Sequence, residues 1–464
     1  METIRPAGSG EAAAHHPANP SMVRVGTRER LSYGFGEFAS SLIWTALSAF
    51  AAYYYTDVVG LSAAAVGTLL LIARLLDAFA DVGIGILVDK TKSRHGKARP
   101  WLLWLAVPYG VAGVLLFSVP DLGPVGTLVY AYISYLLVNI IFSGINIPFS
   151  VLNVMITQEP YERSMLNVVR TIFASVGGIV VTFFTMPLVR FFGGGKLGWL
   201  LTFVMFGVFS TGFFLLTFFG TKERVKPSVV QKDVPVKRAG KALLRNKYWA
   251  LLAVFALFTF IGNAASTGIN VYYAQHVLQN TELVGTIGLA SLLPILIGLF
   301  FLPLVIKRIG KRNACLIGIS LTVAGSLAVA FDPANITLVL TGTVIKAIGT
   351  VPIVGTIFAM LADTVDYGEW KTGIRSEGLV YSATTFGSKA GTGIGAAVVS
   401  WVLAWSGYLG GQAVVSASVQ SSIQFLFIYL PVLIGVIQIA ILAFYKLDKE
   451  YPQIIQELTE AKDI

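Results

Sequence analysis

Arg74, Asp77 and Asp81 are spaced i, i+3 and i+7, so one helical face would carry all three. Two carboxylates one turn apart repel unless a cation neutralises them. Arg74 can supply one positive charge, and an exchangeable H⁺ or Na⁺ can supply another. A cation that fills such a pair and leaves it again is what coupling needs; the plainer reading is a static Arg–Asp pair with Asp81 near a helix end. Lys389 stands in an apolar stretch late in the chain and needs a carboxylate partner, for which the Asp77/Asp81 face is the obvious choice. Glu37 and Ser41 are i, i+4 and face one way. A carboxylate accepts paired hydrogen bonds from neighbouring sugar hydroxyls. Tyr33, Trp44, Tyr54 and Phe149 could stack on the apolar face of a sugar ring, although Trp44 and Tyr54 suit an interfacial aromatic belt equally well. Asn146 and Pro148 place an amide beside a broken backbone bond, which can expose polar groups to a cavity.

The elements that position these residues follow from composition. Of 464 residues only 12% are charged, while 55% are hydrophobic. Soluble domains carry roughly 25% charge, and a water-exposed surface cannot be built from half that. A single cysteine, Cys315, excludes an intrachain disulfide. The four histidines, His15, His16, His95 and His276, do not cluster with it, so neither a metal site nor an intramembrane enzyme centre is expected. A bilayer-crossing helix needs about 20 apolar residues. Stretches 38–56, 101–120, 122–158, 171–189, 197–220, 248–281, 283–306 and 313–331 contain no Asp, Glu, Lys or Arg. Stretch 390–445 is long enough for two helices, with a turn marked by Ser406, Gly407, Gly410, Gly411 and Gln412. Two further spans, near 62–88 and 335–366, are interrupted by charge. The spacing predicts twelve helices; a β-barrel is excluded because the runs lack in/out alternation.

Orientation follows lysine and arginine. Loop 89–100 holds Lys90, Lys92, Arg94, Lys97 and Arg99, loop 221–247 holds nine basic residues, and loop 307–312 holds Lys307, Arg308, Lys311 and Arg312. All three follow even-numbered spans, which puts both termini in the cytoplasm. The net charge of +10 is this bias and not a nucleic-acid surface. Residues 1–22 read as a disordered tail without a signal-peptide core, and 447–464 as a cytoplasmic tail with a short amphipathic helix. An intramembrane ionisable group costs about 2.5–3.5 kcal/mol on insertion scales. Lys346 therefore stands between snorkelling and function, and Arg170 between substrate contact and interfacial anchor.

The basic loop 221–247 divides a bundle over 23–220 from one over 248–446, and the two echo each other. Arg94-His-Gly96-Lys97 matches Arg308-Ile-Gly310-Lys311, Asn146-Ile-Pro148 matches Thr350-Val-Pro352, and Tyr161-Glu-Arg163 matches Tyr367-Gly-Glu369. Two six-helix, pseudo-symmetric bundles describe an all-α integral membrane protein of the major facilitator fold, with a ligand at mid-membrane between them. Asp89, Arg94 and Gly96 could lock the bundles on the cytoplasmic side, and Asp363, Asp366 and Glu369 would serve the equivalent gate after span 10.

These residues resemble the glycoside–pentoside–hexuronide:cation symporter family, typified by the melibiose permease. The resemblance runs from Leu31 to Tyr445. It rests on Leu31-Ser-Tyr-Gly-Phe-Gly-Glu37, Tyr53-Tyr-Tyr-Thr-Asp-Val-Val-Gly60, Arg74-x-x-Asp77-x-x-x-Asp81 followed by the Asp89–Pro100 loop, Asn146-Ile-Pro-Phe149 and Ala362-Asp-Thr-Val-Asp-Tyr-Gly-Glu369. The resemblance implies that Asp77 and Asp81 bind the coupling cation, with Lys389, Thr385 and Asn146 beside them. Glu37, Ser41, Trp44, Tyr54, Arg74, Phe149 and Arg170 are the candidate sugar contacts. Three positions depart from the galactoside pattern. Ser41 and Asn146 replace carboxylates, and Ser150 replaces a stacking tryptophan, so melibiose itself is not the expected substrate. Glu37 resembles the acid of the glucuronide and α-xyloside carriers. Fewer carboxylates favour H⁺ over Na⁺ as coupling ion.

The expectation is a bacterial inner-membrane symporter of a glycoside, pentoside or hexuronide. It would work by alternating access as a monomer, with no cofactor beyond the ion. The alternative is a same-fold carrier of a lipid or sulfonated sugar.

Overall fold

The computed structural model describes residues 24–225, 240, 243, 245–373, 377–412 and 414–460, without the side chains of Val82, Asp89, Pro160, Glu377 and Thr459. The expected tail 1–22, most of loop 221–247 and the Asp89 side chain therefore lie outside the described residues.

Every regular element among the described residues is helical. The first half comprises α1 (Thr27–Tyr53, prolonged by a π-turn over Tyr54–Val58), α2 (Ala63–Lys90), α3 (Arg99–Leu116), α4 (Gly123–Ile156), α5 (Pro160–Phe191) and α6 (Gly195–Gly220). The second comprises α7 (Lys247–His276), α8 (Leu283–Ile309), α9 (Lys311–Ala330), α10 (Ile336–Thr372), α11 (Glu377–Trp405) and α12. α12 runs through Ala417–Gln424, a π-turn Phe425–Tyr429 and Leu430–Phe444, and a short α13 (Leu447–Glu460) follows it. Among the described residues ten helices are long and apolar enough to cross a membrane, and α2 and α11, of 28 and 29 residues, bring those of crossing length to twelve. α10 extends past the expected end near 366, so Asp366, Tyr367 and Glu369 sit in its last turns and not in a loop.

Side-chain caps set several starts. Ser62 accepts the Ala65 N–H, Glu159 accepts the Glu162 N–H ahead of Pro160, and Asn246 accepts the Trp249 N–H. Phe209, Phe219, Phe300, Leu304 and Phe444 are largely exposed, a surface that only hydrocarbon satisfies.

Packing repeats with a period of six helices. α1 packs on α5 and α6, α3 on α4 and α6, and α2 on α4; likewise α7 packs on α11 and α12, α9 on α10 and α12, and α8 on α10. The contacts between halves obey the same rule, since α2 meets α11 and α5 meets α8, while α1 meets α7 on the axis. Small residues allow the closest approaches. A Cβ on Gly110 would lie 2.7 Å from the Gly207 carbonyl oxygen between α3 and α6, and one on Gly342 2.6 Å from that of Gly325 between α9 and α10.

The two ends of the bundle differ. At the end far from the termini, polar contacts join the halves. Asp57 accepts from the Tyr408 hydroxyl at 2.6 Å and from the Gly411 N–H at 3.2 Å, the Thr56 and Tyr272 hydroxyls meet at 2.9 Å, and Arg190 pairs with Glu282. At the end that carries the termini, ion pairs run within a half: Arg30 to Glu162, Arg224 to Glu29, and Lys311 to Asp363.

Candidate functional site

The charges of α2 meet α11 at the seam between the halves. Lys389 Nζ lies 2.7 Å from Asp77 Oδ2 and 2.5 Å from Asp81 Oδ2, so one ammonium bridges both acids. The Ser143 hydroxyl on α4 donates to the other Asp77 oxygen at 2.8 Å, and Asp77 is 1% exposed. Asp81 Oδ1, also buried, has no hydrogen-bond partner among the described residues. The site thus holds two carboxylates, one ammonium and a spare acceptor oxygen.

Arg74 shares their helix face but goes elsewhere. It donates to the Asn139 side-chain oxygen at 3.1 Å and stacks over Trp44, 4.1 Å from the ring centre, with Trp44 lying flat on Phe142. The expected neutralisation of the aspartates by Arg74 is therefore taken over by Lys389, because α4 offers Arg74 an amide and α1 offers it an aromatic face. Asn139 and Ser143 were not anticipated. Their spacing with Asn146, i, i+4 and i+7, was the available signal, a polar stripe on one face of an otherwise apolar helix.

A second group lies on α1, α4 and α5. Arg170 Nε is 2.6 Å from Glu37 Oε2, its Nη1 donates to Ser150 at 3.1 Å, and its guanidinium lies 5.1 Å from the Phe149 ring centre. Tyr33 stacks on the same ring at 4.6 Å. Ser41, buried one turn on from Glu37, packs where α5 presents Gly177. The carboxylate–guanidinium pair, backed by these buried rings, offers both acceptors and donors to vicinal hydroxyls. Between the halves a cavity of about 170 Å³ is lined by Ser48, Arg74 and Tyr135 from the first half and by Asn263, Thr267 and Thr392 from the second.

The remaining residues are placed as follows. Asn146 is half-buried one turn beyond Ser143, and Thr385 is exposed one turn before Lys389. Tyr54 is fully buried in the aromatic core of the first half, against Phe117 and Trp199, where its hydroxyl accepts the Val119 N–H; it has no access to the cavity. Arg94 is exposed, whereas Gly96, at φ +104°, begins a turn that aims three backbone N–H groups at Glu223. Those of Lys97, Ala98 and Arg99 each lie 2.8 Å from its carboxylate. In the second half Gly310, at φ +79°, precedes α9, and Asp448 accepts the Arg312 N–H at 2.9 Å. Asp363 pairs with Lys311 at 2.6 Å, Asp366 accepts from the Tyr451 hydroxyl at 2.7 Å, and Glu369 lies half-buried in the last turns of α10. The Gly96 loop and the Asp363/Asp366 cluster are thus each fastened to their own half.

Residues 32–449 match the family described as MFS/sugar transport protein. Among curated proteins the chain is 36% identical over 439 residues to the isoprimeverose transporter of Lactiplantibacillus pentosus, covering 93% of this chain and 91% of that one. It is 32% identical over 437 residues to the putative glycoside/cation symporter YagG of Escherichia coli (strain K12), covering 92% and 93%. Among solved structures, a proton-dependent oligopeptide transporter superposes with a TM-score of 0.67 at 14% identity, covering 92% of this chain and 99% of that one. That likeness identifies the fold.

Proposed function

The chain belongs to the MFS/sugar transport family, an integral membrane family, and from that premise we propose that it is a cation-coupled sugar symporter working by alternating access. The relatives named for an isoprimeverose and for a glycoside with a cation support the substrate class and the coupling. The observation that carries the proposal is the single ammonium of Lys389 shared by Asp77 and Asp81 across the seam.

The chemistry follows from competition. An incoming cation and the Lys389 ammonium seek the same carboxylate lone pairs. The free Asp81 Oδ1 gives the cation a first foothold. Once the cation neutralises one acid, Lys389 loses part of its hold, and the α2–α11 contact between the halves loosens. Breaking a buried pair costs several kcal/mol when nothing replaces it, so the halves separate readily only when the ion is present. A proton needs one acceptor and Na⁺ several oxygen ligands; with Asp77 already engaged by Ser143 and Lys389, H⁺ is the coupling ion.

Glu37 and Arg170 hold the sugar hydroxyls, the buried Phe149–Tyr33 stack backs the Arg170 guanidinium, and Arg74 and Trp44 line the inner wall. The joined end is the extracellular one and both termini lie in the cytoplasm of a bacterial inner membrane. The carrier works as a monomer. Asp57 with Tyr408 and Gly411 keeps the outer side shut, and the Gly96 and Asp363/Asp366 clusters hold each half rigid on the inner side.

The test is uptake of glycosides into proteoliposomes under an imposed proton or sodium gradient. The wild type should accumulate sugar against its gradient under a proton gradient, and Asp77→Asn should bring the internal concentration to the external one. Accumulation that survives Asp77→Asn would overturn the coupling assignment.

A further inference from the structure

The second half contains a cavity that the symport scheme above does not use. It measures about 310 Å³, within the range of small-molecule sites, and is lined from α7, α8, α9, α10 and α12. Lys346 of α10 lies in its wall. The Lys346 ammonium donates to the Phe427 carbonyl at 3.2 Å and lies 4.5 Å from the centre of the Phe427 ring. That carbonyl belongs to the π-turn of α12. Among the described residues no carboxylate lies within ion-pair distance of Lys346. One turn earlier, Thr343 is 4% exposed and lines the same cavity, yet its hydroxyl has no hydrogen-bond partner among the described residues. The amides of Asn263 and Asn270 lie in the same wall, beside Ser266, Ser291 and Thr350.

This cavity adjoins the one between the halves, because Asn263 and Thr267 line both. Across that partition lies Arg74, whose guanidinium has an amide and an indole for company. Two cations thus lie on either side of the wall that Asn263 and Thr267 form, and among the described residues neither has a carboxylate within ion-pair distance. In a membrane an ammonium without a counter-charge is costly, and a carbonyl with an aromatic face compensates only in part.

We infer that the Lys346 cavity is a subsite for the acidic group of the substrate, and that the carrier prefers a sugar acid to its neutral counterpart. This rests on the sugar-transport reading above. Lys346 would form a charge-assisted hydrogen bond to the carboxylate, with the Thr343 hydroxyl and the Asn270 amide donating to its remaining lone pairs. The ring and its hydroxyls would rest against Asn263 and Thr267, the wall shared with the Arg74 cavity.

Titration calorimetry on the purified full-length chain with methyl β-D-glucuronide and methyl β-D-glucoside tests this. The wild type should bind the glucuronide at least about ten-fold more tightly, the scale of one charge-assisted hydrogen bond. Lys346→Gln should bring the two constants together, and Lys346→Arg should preserve the preference. Thr343→Val, nearly isosteric, should narrow it several-fold, and it decides the matter if Lys346→Gln does not fold. Equal binding by the wild type, or a preference that persists in Lys346→Gln, overturns the subsite. Gradient-driven uptake of the glucoside alongside either result would leave the symport reading standing. Absence of gradient-driven uptake of both sugars would remove that reading and the subsite with it.

Discussion

The two halves share one packing scheme and differ in what they bring to the seam. The first half contributes acids, Glu37, Asp77 and Asp81, with Arg170 as the partner of Glu37. The second contributes the cations Lys389 and Lys346, with no acid of its own beside either among the described residues. A repeated fold thus carries an unrepeated charge pattern. The first half cannot neutralise Asp77 and Asp81 alone, nor can the second neutralise Lys389. Their closest electrostatic bond is therefore made between halves, where an ion can interrupt it.

Removing the second half's contribution should produce the largest effect. Lys389→Ala leaves two buried acids facing each other, and concentrative uptake should fall by about two orders of magnitude, as expected for loss of one member of a buried ion pair. Lys389→Ala with Asp81→Asn should recover sugar exchange without accumulation, as measured by counterflow in proteoliposomes. Next comes the charge pair internal to the first half. Glu37→Gln should weaken sugar binding by about ten- to a hundred-fold, the range of a lost charged hydrogen bond. Asp77→Asn should instead abolish accumulation while binding persists, and equal loss of binding in both would erase the distinction between the two groups.

A smaller effect is expected at the joined end. Asp57→Asn keeps the shape but weakens the bonds from Tyr408 and Gly411. Spin labels on α1 and the α11–α12 turn should show a growing population with the outer ends apart. A shift of about 1–2 kcal/mol, typical of one charged hydrogen bond, would be visible as a changed distance distribution. The smallest effects compare the matched turns. Glu223→Gln and Asp448→Asn each weaken a carboxylate at a helix N-terminus, worth about 1 kcal/mol. Each should lower the thermal midpoint by a few degrees without changing the coupling ratio. A change in coupling from either would mean these turns take part in gating.

Much of this was legible in the chain. The uncharged runs gave the helices, and the short echoes of Gly96 at Gly310 and of Pro148 at Pro352 located the repeat. The spacing also points Lys389 to Asp77 and Asp81, because an intramembrane lysine requires an acid. What was not legible depended on which neighbour packs where. The i, i+3 spacing put Arg74 on the face of Asp77, but only the placement of α4 and α1 directs it to Asn139 and Trp44. Tyr54 has the chemistry of a sugar platform and the position of a core residue, a difference that no spacing reveals. Glu223 and Asp448 lie far in sequence from the turns they cap, beyond the reach of local pattern.

The Glu223 cap bears on the stretch that ties the halves together. Its leading edge is pinned, since Glu223 sits in the Gly96 turn and the Arg224 and Val225 N–H groups both reach the Met155 carbonyl. Its trailing edge is pinned as well, with the Asn246 amide bonded to the Thr364 carbonyl. Each edge is moored to the bundle it belongs to, so neither mooring depends on the other. Severed there, the two pieces would retain these moorings and the packed seam, and the carrier could be assembled from two separately made polypeptides.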